Sequence, residues 1–93
     1  MFVLMSIHHP HPEHREALIG SMHRYGDAIR GEHGLVSIHT LADAGSDRLV
    51  GLAVFATEED FRRLAPLARA AVADDPFEVW ERVPIDGLAL TEV

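Results

Sequence analysis

The chain has 93 residues, 47% of them hydrophobic, and a formal charge of −7 from 15 acidic against 8 basic residues. That length fits one domain with a small core, and the acidic balance excludes the electrostatic footprint of a nucleic-acid or anionic-membrane binder. The absence of cysteine excludes a disulfide framework, a thiolate metal site and a cysteine nucleophile.

Met1 to Ile7 reads as a strand with two apolar faces, Phe2 and Leu4 on one side and Val3, Met5 and Ile7 on the other. It is preceded by no basic leader, so it is expected to be a strand and not a signal peptide. No stretch approaches the ~20 apolar residues of a membrane span, and a cytoplasmic location is expected. After the break at His8 to Pro12, Leu18, Met22, Tyr25 and Ile29 recur at helical spacing, and Gly31 and Gly34 end that helix. Leu35 to Leu41 is a second strand, with Val36 and Ile38 facing one way and Leu35, Ser37, His39 and Leu41 the other. A polar turn over Ala42 to Arg48 makes a hairpin into a third strand, Leu49 to Ala56, again apolar on both faces. Thr57 and Asp60 resemble a capping box that starts a second helix. Pro66 predicts a kink or a restart in it, and Asp74, Asp75 and Pro76 stop it. Phe77 to Arg82 forms a further helical turn carrying Trp80, and Leu88 to Val93 is the last strand.

The order βαββαβ is that of a single α+β ferredoxin-like sandwich over residues 1–93, an antiparallel sheet with helices on one face. Its usual strand order puts the first strand between the third and fourth, which suits a strand with two apolar faces. Such a sheet needs a cover on both sides, and the chain supplies helices for about one layer. The second cover is expected to be another copy, making a homodimer through the sheet faces.

The chain resembles the antibiotic biosynthesis monooxygenase family of the dimeric α+β barrel superfamily. The likeness lies in Glu32-His33-Gly34-Leu35-Val36 at the end of the first helix and in Leu49-Val50-Gly51-Leu52-Ala53-Val54-Phe55 running into Thr57-Glu58-Glu59-Asp60-Phe61. The tail from Asp74 to Arg82 carries it further. The resemblance implies a pocket between sheet and helices in each of two subunits. It also implies one of several chemistries: cofactor-independent oxygenation of aromatic polyketides or quinols, haem degradation, or isomerisation of a small molecule. Family oxygenases often carry a tryptophan where this chain has Phe55. The haem-degrading branch uses a first-strand asparagine and a second-helix histidine, where this chain has Ser6 and the stretch Arg62 to Leu67. Haem degradation is not expected.

Seven histidines are dense for this length, and His8, His9, His11 and His14 fall close together. They show no recognised ligand spacing, so a solvated loop is expected and no metal is assigned. His39 is the candidate base for a phenol or enol, with an unperturbed pKa of about 6.5; the other reading is a half-exposed strand histidine. His8 is expected to approach it across the third strand. Gly51 and Ala53 leave room for a ligand or for close helix packing. Tyr25, Met22, Phe55, Trp80 and His8 are the candidate substrate-binding residues, against core packing for Tyr25 and a plug of the domain end for Trp80. Arg62 and Arg63 sit beside Glu58 and Glu59 as a solvated face. The expected function is a monooxygenase acting on a small aromatic or quinol-type molecule without cofactor. The alternatives are a non-catalytic binding or structural homodimer, or an isomerase using the same base. A catalytic His39 predicts burial beside a hydrogen-bond partner, whereas a structural dimer predicts a filled pocket and an exposed His39.

Overall fold

The structure, a computed structural model, describes residues 1–93. Four strands, β1 (Phe2–His8), β2 (Leu35–Ala42), β3 (Leu49–Phe55) and β4 (Asp86–Thr91), form one antiparallel sheet in the order β2-β3-β1-β4. Helix α1 (Arg15–Asp27) follows a short 3-10 turn at Pro12–His14, α2 (Glu58–Ala71) follows β3, and the single turn α3 (Phe77–Trp80) precedes β4. This is the α+β ferredoxin-like sandwich, with β1 central between β3 and β4 as expected.

Register fixes the faces. Phe2 pairs with Phe55, Leu4 with Ala53, Ser6 with Gly51 and His8 with Leu49, so these eight residues lie under the helices. The core occupies one end of that layer, where Phe2, Ala53 and Phe55 meet Ile29, Leu64 and Ala68. The Phe61 ring fills this end, 4.8 Å from that of Phe2 and 5.6 Å from that of Phe55. Toward the other end the sheet offers Ser6 and Gly51, which carry little or no side chain, and the layer stays open there. On the far face Val3, Met5, Ile7, Val50, Leu52 and Val54 alternate with the core residues and no helix covers them. Leu41, Leu88 and Leu90 on the flanking strands are exposed.

The capping box forms with a change of partner. The Asp60 amide donates to Thr57 Oγ1 at 3.1 Å, and the shorter Asp side chain takes the Thr57 hydroxyl at 2.9 Å instead of reaching back to the backbone. Helix α2 does not restart at Pro66; it runs as one element through it. Pro66 lies on the exposed side, where water can take the carbonyl it leaves free, while buried Leu64, Ala65 and Ala68 pin both halves to the sheet. Strand β4 begins two residues earlier than expected because Asp86 to Thr91 match β1 from Ile7 to Phe2.

Candidate functional site

The open end of the layer is a cavity of about 300 Å³, floored by Leu4, Ser6, Gly51 and Ala53 and walled by Met22 and Tyr25 of α1, Ile38 and Thr40 of β2, and Val72, Phe77 and Ile85. Arg30 and Arg69 stand among its walls as the cationic groups. At the floor, the His8 imidazole is buried with both nitrogens engaged. Nδ1 donates to Glu81 Oε2 at 2.9 Å, and with the proton on Nδ1 the other nitrogen, Nε2, accepts from Ser6 Oγ, also at 2.9 Å. The carboxylate therefore selects the tautomer and orients the ring.

Local structure builds this array from distant sequence. Ser6 and His8 are two apart in β1, so they share a face. Glu81 arrives through a stretch of antiparallel pairing beyond the sheet: the His11 amide donates to the Trp80 carbonyl and the Arg82 amide to the His9 carbonyl, each at 2.8 Å, with Pro10 opposite Glu81. The second carboxylate oxygen accepts the His9 amide at 3.0 Å, so Glu81 is satisfied at both oxygens although only 7% exposed.

Gly51 is the matching element in the floor. A methyl group at that position would lie 2.6 Å from Ser6 Oγ, so the serine hydroxyl leans over the glycine and into the cavity. Thr40 is on the other side of Gly51 in the same cross-strand row, placing a second hydroxyl across the gap. Burial raises the Tyr25 phenol above its usual value, and the nearby Arg69 opposes that. Behind the wall, Ser21 of α1 donates to Asp75 at 2.6 Å and Arg24 pairs with the same carboxylate at 3.0 Å, holding the segment after α2 against α1.

Three of the residues expected at the site, His8, Tyr25 and Met22, share this cavity, and three others sit differently. His39 touches the cavity's rim, but it lies between Ile38 and Thr40 and its partner across the strands is Leu52. Alternation sends its side chain to the face away from His8. It is exposed and makes no side-chain hydrogen bond, so the geometry expected of a base is found at His8 and not at His39. The exposed His39 is what a purely structural dimer predicts, and the open cavity is not. Phe55 is fully buried in the core cluster and does not reach the cavity. Trp80 stacks edge-on against Phe77, 5.7 Å between centroids, and Phe77 supplies the wall. No three His, Asp or Glu side chains converge as a metal site, and no helix is long and apolar enough to cross a membrane. Ser6 and Glu81 were the residues sequence reasoning missed. The Ser-x-His spacing within a strand could have flagged the first, but nothing local points to a carboxylate 73 residues away.

No family model and no curated protein sequence matches the chain. Solved structures do. Rv0793 from Mycobacterium tuberculosis superposes with a TM-score of 0.80 at 19% identity, covering 99% of this chain and 94% of that one. A proposed antibiotic biosynthesis monooxygenase from Nitrosomonas europaea gives 0.75 at 21% identity, over 100% and 99% of the two chains. The chain has the antibiotic biosynthesis monooxygenase fold. Another protein of similar fold is a variant of MhuD with two manganese protoporphyrin IX molecules per active site, at 0.75 and 18% identity over 100% and 95%. Identities this low fix the monooxygenase-type fold and leave the chemistry to the residues of the cavity.

Proposed function

We propose that the chain is a cofactor-independent monooxygenase for a small aromatic or quinol-type substrate, with His8 as the base. One observation carries this: an imidazole held in a single tautomer between Glu81 and Ser6 at the floor of an apolar cavity. A phenol or enol seated over Gly51 gives its proton to the Ser6 and His8 pair, and the imidazolium that forms is stabilised by the buried Glu81 carboxylate. The electron-rich anion then reacts with dioxygen, one oxygen atom entering the substrate and the other leaving as water. Leu4, Met22 and Ala53 exclude water from that anion. A histidine-ligated haem does not fit the donor set, because His8 has both nitrogens engaged and His39 belongs to the other face. The open sheet face is assigned to a second copy of the chain.

Oxygen uptake with anthrones and hydroquinones tests the chemistry. Ser6→Ala and Glu81→Gln should each lower the rate by about 100-fold, the scale of lost general-base catalysis, while His39→Ala leaves it unchanged. Uptake that falls with His39→Ala and survives Glu81→Gln would return the base to β2.

A further inference from the structure

We propose that Ser6 is a nucleophile, and that the same cavity transfers acyl groups from small aryl esters or lactones to water through an acyl-Ser6 intermediate. This rests on His8 being the base and not on oxygen chemistry. Ser6 Oγ, His8 and Glu81 stand in the relation that activates a serine: hydroxyl to Nε2 at 2.9 Å, Nδ1 to a buried carboxylate at 2.9 Å. That relation is recognised by geometry and roles, independently of fold or chain order.

Two further observations separate this from a hydroxyl that merely satisfies a buried imidazole. The first is the direction of the hydroxyl. Ser6 Oγ occupies the space above Gly51, where any side chain would collide with it, and that space belongs to the cavity. The second is the row in which it lies. Thr40, Gly51 and Ser6 are consecutive across the sheet, between an apolar row of Ile38, Ala53 and Leu4 and the end of the sheet at His8. A carbonyl laid over Gly51 has the nucleophile on one side and the Thr40 hydroxyl as a donor to its oxygen on the other. Its acyl or aryl part meets Leu4, Met22 and Ala53.

The steps balance with water as the only co-reactant. Ser6 Oγ bonds to the carbonyl carbon while its proton passes to His8 Nε2. The carbon to leaving-oxygen bond breaks, and His8 returns the proton to the departing phenoxide or alkoxide, leaving acyl-Ser6. A water then gives its proton to His8 and attacks the acyl carbon, the bond to Ser6 Oγ breaks, and Oγ regains the proton as the carboxylic acid departs. Glu81 is a positioning residue that keeps Nδ1 protonated and the ring in place.

The test treats the full chain with diisopropyl fluorophosphate and, separately, with p-nitrophenyl acetate, read by intact mass, peptide mapping and stopped-flow absorbance. The expected result is one phosphoryl adduct per chain on Ser6 and a burst of about one equivalent of p-nitrophenolate. Ser6→Ala should abolish both while circular dichroism shows the chain still folded. Glu81→Gln should slow the burst by at least tenfold and alter its pH profile, which a merely structural carboxylate would not do. An adduct on another residue, no adduct on the folded chain, or a burst that survives Ser6→Ala overturns the proposal. Failure of labelling with oxygen uptake still sensitive to Glu81→Gln removes the nucleophile and leaves the base. Failure of both removes the base as well.

Discussion

At the scale of single residues, the site depends on groups that water would compete for if the cavity were wetter. Glu81 satisfies two donors from a nearly dry position, and removing one member of such a buried pair leaves the other without a partner. Glu81→Ala should therefore lower unfolding free energy by about 3 kcal/mol, measured by urea denaturation, whereas removing the exposed Arg62 and Glu58 pair should change it by less than about 1 kcal/mol. Tyr25 gives a second reading of the cavity's polarity. It is the only tyrosine, and burial disfavours its phenolate while Arg69 favours it. Absorbance titration at 295 nm should show a midpoint above 10, moving higher still in Arg69→Ala. Because the folded value is raised, the neutral phenol's contribution to stability is complete below the unfolded value and is lost as pH rises through the folded one.

At the scale of elements, the connections are held by specific side chains. Asp75 ties the segment after α2 to α1. The Ser21 hydrogen bond, with Arg24 assisting against desolvation, holds its carboxyl below the usual value. A depressed folded value means stability that is present above the unfolded value near 4 and lost as pH falls through the folded one. Asp75→Asn should therefore be less stable than wild type at pH 7, with the difference closing below pH ~4 in thermal melts. At the entry to β2, Gly34 has φ +95° and a side chain there would run into Asp60. Gly34→Ala should cost about 1–3 kcal/mol, read as a lowered urea midpoint. The helix expected to run to Gly31 and Gly34 ends at Asp27 instead, whereas the strands with two apolar faces and the Thr57 cap were legible, because each is written in residues close together. The base was not. His39 and His8 look alike in sequence, and what separates them is which sheet face each occupies and a glutamate brought in by pairing at Trp80 to Arg82. The restart offered as one outcome at Pro66 does not occur, for the opposite reason: its local cost is real, but burial on either side of it outweighs one lost backbone bond.

At the scale of the whole molecule, one sheet face is covered by helices and the other carries Val3, Met5, Ile7, Val50, Leu52 and Val54, with Asp86 beside Ile7 at the β4 edge. A small chain gains most by burying such a face, and a twofold pair presents identical apolar faces to each other. Wild-type protein should sediment as a dimer at micromolar concentration. Leu88 is 42% exposed in the single chain, so Leu88→Glu should change the fold's own stability by only about 0.5 kcal/mol while placing a charge on the apolar face beside Met5. The variant should therefore be a monomer with unchanged circular dichroism. Each copy brings a charge of −7, so the partners repel at long range, and salt that shortens the screening length below about 10 Å should tighten wild-type dimers. Wild-type protein that remains monomeric in both low and high salt would show that the apolar face is covered by something other than a second copy.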